Sequence, residues 1–485
     1  MTAGIATEEN FQRSTQPIPL RLSSAQRLPP RLGITHGIAL IVSNMVGVGI
    51  FTTPAIIAGL VPRPSAMLAL WIVGGLLALA GAISYAELAK RFPSAGGEYV
   101  YLSRIYGPSA GFLSGWISLI AGFSGAVAAG AVGLVSYLGW YLPSYASDRI
   151  LLKVPLVVGT ASISPRSLCA AAIIALLALL HACGFGLAKF TQNGLALLIA
   201  SMIAVFAFCG FAFGHGAWMH FATPESLPHV QFVNWLIALI PVMFTYSGWN
   251  AAVYVSEDLR DARRTIGPIL ILGTSIVVAL YVVLNILYLY AIAPEHLHEA
   301  INVGDVAAHA LFGVNRMFIT PVLIVALLGS LSAMTIAGSR VYFAMARDGA
   351  FFPAFARISR RFGTPAFAIA LQALWSIALV MAGGFEQILM YTGFAVVLSS
   401  SLAVAGLFVV DRHALRSDRR LRFKMLIPAA FLIASGLMVA NMVIHSPRTA
   451  ATGALLILSG LPIYAWSRRK KHLAMESQPG VVPAD

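Results

Sequence analysis

Twelve long apolar runs divide this chain, centred near residues 47, 78, 122, 173, 202, 244, 280, 330, 373, 398, 434 and 458. Stretches such as Ala170–Leu180 hold no polar residue at all. A helix needs about 20 apolar residues to cross a hydrocarbon core about 30 Å thick. Inside lipid every backbone N–H and C=O must find a partner within the chain, so only helices or a closed barrel can cross. Barrel strands alternate over about ten residues, whereas these runs are continuous. The chain is therefore expected to be an all-α integral membrane protein of about twelve transmembrane helices. Composition agrees: 59% of the residues are hydrophobic and 10% charged, where a soluble domain carries about a quarter charged.

The formal charge of +14 does not mark a nucleic-acid binder, because the basic residues form short clusters between the apolar runs. That pattern sets membrane topology. With the N-terminus inside, about 26 basic residues fall on the cytoplasmic side and about 6 on the far side, the densest clusters being Arg412–Lys424, Arg340–Arg361 and Arg468–Lys471. Both ends are thus expected in the cytoplasm. Met1–Pro30 is polar and proline-bearing and reads as a flexible tail, not a signal peptide. Cys169, Cys183 and Cys209 sit in apolar stretches without metal-ligand spacing, and read as packing residues.

Two runs are interrupted. The first contains Gly47-Val48-Gly49-Ile50-Phe51 and then Thr52, Thr53 and Pro54; the sixth contains Tyr246-Ser247-Gly248-Trp249-Asn250, with Pro241 upstream. Such residues weaken a helix where water cannot replace a lost hydrogen bond. A glycine pair alone would as readily signal close helix packing. Here Gly47 and Gly248 lie about 200 residues apart, each opening a block of five runs, and broken helices in matching positions of two halves point to an inverted-repeat transporter with a midplane site. The expected organisation is a cytoplasmic tail (1–34), a first five-helix repeat (35–215), a second (216–411), two accessory helices (412–467) and a C-terminal tail (468–485).

Several stretches, in order across about residues 35–410, resemble the amino acid–polyamine–organocation superfamily, and within it the L-type amino acid transporters and their bacterial relatives. Gly47–Phe51 looks like the glycine-rich break of the first helix. Tyr85-Ala86-Glu87-Leu88 and Pro93–Tyr99 resemble the end of the second and its loop. Phe244–Asn250, followed by Glu257-Asp258, is similar to the break of the sixth. Ser339-Arg340, Ala344–Gly349 and Phe362–Pro365 look like the end of the eighth and its loop. The resemblance implies a LeuT-like fold of five plus five helices and amino acid transport by alternating access, in a bacterial inner membrane.

It also implies residue roles. Freed N–H groups at Gly47, Val48 and Gly49 would face a carboxylate at the positive end of a half-helix; Val48 stands where relatives often carry serine. Carbonyls of Met45, Val46, Phe244 and Ser247 would meet the ammonium. Phe244 is expected to gate the site, with Trp249 and Asn250 lining the side-chain pocket. Gly49→Leu is expected to abolish binding and leave the fold intact. Because no Lys, Arg, Asp or Glu lies near the middle of a predicted span, the substrate is expected to be neutral.

Ser330, Ser332 and Thr335 offer oxygens to a coupling ion, although hydroxyls in such helices often bond their own backbone. Aligned with the family, Ile199 replaces the lysine that many relatives carry on the fifth helix, so proton, sodium or exchange coupling stays open. Glu87, Glu257 and Arg340 are assigned to a cytoplasmic gate, and for Glu87 and Glu257 plain salt bridges with Lys90, Arg91 or Arg260 are the simpler alternative. His36, His181 and His215 lie near span ends without metal-like partners. No enzyme chemistry, metal or cofactor is expected. The loop Tyr141–Arg166 lacks the cysteine that ties animal L-type carriers to a single-span partner, so no disulfide-linked heavy chain is expected. Two other readings stay open: a polyamine or cationic amino acid antiporter, and an amino acid sensor on a transporter fold.

Overall fold

The computed structural model of the chain describes residue 28 and residues 30–155, 160–222, 231–300, 302–313, 319–382, 385–412, 419–445 and 447–465. The C-terminal tail and most of the N-terminal tail expected above lie outside them. Helices α1 (Ile34–Met45) and α2 (Gly49–Leu60) form one broken pair, bent by 45°. Helix α3 (Pro64–Arg91) starts on a proline at its first turn, which needs no N–H there. A short helix α4 (Glu98–Tyr106) leads to α5 (Pro108–Ile117), which runs through a π segment, Ser118–Gly122, into α6 (Phe123–Leu138).

A hairpin of β1 (Leu152–Pro155) and β2 (Thr160–Ile163) follows, antiparallel with Leu152 opposite Ile163. It is an addition to the all-helical expectation. A two-stranded pairing is allowed here because it lies in a connection between apolar helices and not within one. Ser164 then caps α7 (Pro165–Cys183) by accepting from the Ser167 N–H. The chain continues through α8 (Phe185–Phe213), α9 (Phe232–Thr245), α10 (Ala251–Tyr254), α11 (Ala262–Ala291), α12 (Val303–Phe312), α13 (Thr320–Arg347), α14 (Ala366–Ala382), α15 (Phe385–Val410), α16 (Leu426–His445) and α17 (Pro447–Leu458).

Among the described residues, seven helical stretches are long and apolar enough to cross a membrane, and the broken pair α1–α2 makes an eighth. The protein is thus a multi-pass, helical membrane protein. Each of the twelve predicted centres falls in a helix, in the π segment or at a break. Shorter apolar helices, α9 and α14 among them, account for the remainder. Helix α13 is the most enclosed, with 72% of its apolar window buried. Its small residues explain this: a side chain at Gly338 would stand 2.7 Å from Phe123 Cβ, so only glycine lets α6 approach so closely. Similarly, a Cβ at Gly37 would lie 2.7 Å from Ile269, which brings α1 against α11.

Candidate functional site at two facing helix breaks

The two interruptions meet. A Cβ at Gly248, whose φ is +102°, would lie 2.7 Å from the Asn44 amide nitrogen and 3.0 Å from the Asn44 carbonyl oxygen. Glycine is required there twice over, by backbone conformation and by space. Asn44 donates its side-chain amide to the Gly248 carbonyl (3.4 Å), across 204 residues of chain. The buried Tyr281 hydroxyl on α11 spans the breaks, close to both the Met45 carbonyl (2.7 Å) and the Thr245 carbonyl (3.3 Å). Thr53 donates to Thr245 (2.8 Å), whose own hydroxyl goes back to the Pro241 carbonyl (2.9 Å). Gly248→Ala is accordingly expected to cost at least about 1–3 kcal/mol, read as a fall in melting temperature in detergent; an unaltered melt would mean the breaks separate easily.

What remains open at this junction is a set of backbone groups. Among the described residues, the N–H groups of Gly47, Val48, Gly49 and Ile50 have no acceptor. They stand at the start of α2, a 12-residue half-helix whose dipole favours negative charge. The carbonyls of Val46 and Ser247 likewise accept no hydrogen bond among the described residues. By contrast, the Met45 carbonyl is taken by Tyr281 and the Phe244 carbonyl by the Ser247 N–H (3.0 Å). Of the four carbonyls named from sequence, two are therefore occupied. Phe244 itself is half exposed at the end of α9.

The two glycines of the first break differ. A Cβ at Gly49 would meet the Thr245 hydroxyl at 2.9 Å, whereas one at Gly47 meets nothing nearer than Ser330 Oγ at 4.0 Å. Gly49 is a packing position, so Gly49→Leu cannot leave the fold intact, and that expectation is corrected. Gly47 borders open space.

Trp249 and Asn250 turn away from this junction. Trp249 packs edge-on against Tyr85 (4.8 Å between ring centroids) and Phe431 (5.9 Å). Asn250 donates to Glu98 Oε1 at 2.6 Å and lies 3.1 Å from the Tyr254 hydroxyl. The expected ion-site trio does not converge either. Ser330 lies near Gly47, Ser332 bonds His181 (3.0 Å) and Gln192 (2.5 Å), and Thr335 donates to the Leu331 carbonyl of its own helix (2.8 Å). At about 100° per residue, Ser330 and Ser332 point to opposite sides of α13. Ile199 is fully buried among apolar neighbours.

One side of the molecule is locked. Arg340 bonds Asp258 at 3.1 Å, with side-chain exposures of 4% and 0%. Arg347 bonds Glu257 at 2.7 Å, and the other Glu257 oxygen accepts the Ala95 N–H (3.2 Å). Burial raises the Asp258 carboxyl above its ordinary range, while Arg340 pulls it down. The Arg31 and Leu32 N–H groups both donate to the Asp258 carbonyl (2.9 and 2.7 Å), and Leu32 returns its carbonyl to the Arg260 N–H (2.9 Å). Glu87 takes no part: it pairs with Lys90 at 2.8 Å, nearly half exposed. Arg91 reaches Asp411 instead (2.7 Å). Glu257 thus pairs with Arg347 and with none of Lys90, Arg91 and Arg260, and Arg340 finds its partner in Asp258, which was not among the expected gate residues, across 82 residues.

A second residue escaped the sequence reading. Glu98 opens α4, is 6% exposed, and accepts from the Tyr85 hydroxyl (2.8 Å) as well as from Asn250. The signal was present in Gly96-Gly97-Glu98, since two glycines at φ +118° and +56° turn the chain inward immediately before the carboxylate.

A family model described as amino acid permease matches residues 32–467, which takes in both breaks, the lock and Glu98. Among curated proteins the chain is 25% identical to the b(0,+)-type amino acid transporter 1 of Mus musculus, over 98% of this chain and 97% of that protein. It is 26% identical to the Asc-type amino acid transporter 1 of Homo sapiens, over 90% and 82% respectively. It is 25% identical to the large neutral amino acids transporter small subunit 2 of Mus musculus, over 90% and 81%. These relatives are transporters rather than enzymes, and they agree with the L-type resemblance. With nearly its whole membrane region matched from the segment before α1 to the end of the described residues, this chain belongs to the amino acid permease family of the amino acid–polyamine–organocation superfamily.

Proposed function

We propose that this chain carries amino acids across the cytoplasmic membrane by alternating access, as a secondary-active transporter or an exchanger, with neutral amino acids as its substrates. The observation that carries the reading is the pair of facing breaks with four open N–H groups on one side and the Val46 and Ser247 carbonyls nearby. A zwitterion suits that set: the N–H groups receive its carboxylate, and the carbonyls receive its ammonium. No ionised side chain is needed at the junction, which favours a neutral side chain on the substrate.

The reading includes twelve spans, with 35–215 and 216–411 as inverted repeats in a LeuT-like arrangement and 412–467 as accessory helices. Two loop helices support it. Helix α4 follows the second span and lies against α10, where a Cβ at Gly97 would stand 2.4 Å from Tyr254. Helix α12 follows the seventh span and lies against α2, where a Cβ at Gly304 would stand 2.9 Å from Phe51. Each half thus sends a loop helix to the second segment of the other half's broken span, as a two-fold relation in the membrane plane requires. Both termini are placed in the cytoplasm of a bacterial cell with the lock on that face, and the chain works without a disulfide-linked partner. Proton, sodium or exchange coupling all fit this scheme.

A second reading, transport of cationic amino acids or diamines, draws on one observation, the buried carboxylate of Glu98. A thermal-shift screen of the purified protein separates the two, using the twenty amino acids, agmatine and putrescine, with and without sodium. A ligand of the folded state raises the melting temperature by mass action. Stabilisation by a group of neutral amino acids is expected; stabilisation by diamines, lysine or arginine alone would favour the second reading, and none at all would sink both.

A further inference from the structure

We propose that Glu98 is a proton-binding site, and that its proton is linked to movement of the sixth span. This deepens the transporter reading and rests on it.

The carboxylate is placed by construction. Gly96 and Gly97 occupy left-handed conformations that side chains rarely adopt, and any side chain at Gly97 would strike the Tyr254 ring. Only this turn lets α4 lie against α10 and brings Glu98 to Asn250, within the break of the sixth span. The other titratable groups facing it are Tyr85 from α3, Tyr101 from α4 and Tyr254 from α10. Among the described residues, no Lys, Arg or His nitrogen lies within ion-pair distance of Glu98. Arg347 pairs with Glu257, Arg340 with Asp258 and Arg91 with Asp411, and Tyr99 donates to Asp348.

The Tyr85 hydroxyl and the Asn250 amide both donate to Oε1, and the Tyr254 hydroxyl faces the same carboxylate. A metal ion or an organic ammonium approaching that oxygen would meet two positive hydrogen-bond edges. A proton need not displace them, since it can bind Oε2. Beside the carboxylate lies a cavity lined by Glu98, Ser114, Ser118, Gly122, Tyr254 and Ser399. It runs along the π segment, where the local departure from α-helix also frees backbone for other contacts: Tyr342 donates to the Ser118 carbonyl (3.0 Å) and Trp375 to that of Ile120 (3.0 Å). Its hydroxyls give the proton a polar approach.

The linkage follows from Asn250. Donors favour the ionised form of a carboxylate. Withdrawing the Asn250 amide as the sixth span moves removes one, and the carboxyl then takes a proton more readily. Reciprocally, a proton on Glu98 weakens its hold on Asn250 and releases that span.

The test uses the full chain in liposomes holding a trapped pH indicator, with a mixture of neutral amino acids as the probe. Wild-type protein is expected to acidify the lumen on substrate addition, with uptake rising at least about fivefold as the outside pH is lowered. Glu98→Gln keeps the volume and an acceptor oxygen. It is expected to be stabilised by the mixture as before, without acidification and with less than about a twofold pH response. Tyr85→Phe removes one donor and should move the midpoint of the pH response upward. Wild-type uptake without proton movement, a wild-type pH response in Glu98→Gln, or an unmoved midpoint in Tyr85→Phe would each overturn the assignment. So would proton movement retained in Glu98→Gln with selective loss of lysine or agmatine binding, which would make the carboxylate a substrate-amine site. Failure of the mixture to stabilise wild-type protein would remove the transporter reading instead, and is distinguished by that measurement.

Discussion

Asp258→Ala should lower the stability of the folded protein by about 3–5 kcal/mol, because it strands a buried guanidinium. Arg340 is 4% exposed, and its ion-pair partner is Asp258. The pair itself need not be a large source of stability, since removing two charges from water offsets most of their attraction. Burial raises the Asp258 carboxyl, so the native state holds that proton more tightly than the unfolded chain. Any stability tied to it is present at acid pH and is lost as pH rises through the native value. The lock is therefore a matter of geometry: α13 is pinned to the segment after α10. Melting in detergent gives the first readout, with the double variant Asp258→Leu, Arg340→Met expected to recover most of the loss. If Asp258→Ala melts with the wild type, water already reaches the guanidinium and the pair is not a seal.

Gly47→Ala should separate binding from folding. Space exists for the methyl group, with Ser330 Oγ at 4.0 Å the nearest atom, so the melting temperature should stay within the effect of an ordinary surface change, about 0.5 kcal/mol. Yet the methyl would occupy the approach to the open N–H groups of residues 47–50. Affinity for the substrate found in the ligand screen is expected to fall about a hundredfold, equivalent to about 2.8 kcal/mol. Isothermal titration or ligand-dependent melting would read it. Undiminished affinity would move the carboxylate site away from the first break, whatever the fate of the lock.

The broken helices were legible in the sequence because Gly47 and Gly248 interrupt apolar runs about 200 residues apart, in matching positions of two blocks of five runs, which helix packing alone does not explain. Their contacts were less legible. Gly47 and Gly49 look alike in a sequence, and only the position of Thr245 makes one a packing residue and the other a space. Ser330, Ser332 and Thr335 could have been separated by helical angle alone, since neighbours two apart on an α-helix diverge. Glu98 was hidden by its position after Gly97, in a stretch read as a loop, and its hydrogen-bond donors are Tyr85 and Asn250, the latter 152 residues distant. The Arg340–Asp258 pairing was hidden likewise, and the hairpin β1–β2 depends on an edge-to-edge match that apolar periodicity does not encode.

The strand-like clasp between residues 31–32 and 258–260 is made of peptide groups alone. Any residue but proline can supply the Arg31, Leu32 and Arg260 N–H groups, so the fastening itself does not depend on which side chains stand there. A record of substitutions would show the packing of the buried Leu32 side chain but not the peptide bonds that anchor the chain entering α1 to the end of the sixth span. Proline scanning, which deletes one donor at a time, is the form of genetics to which such an attachment is visible.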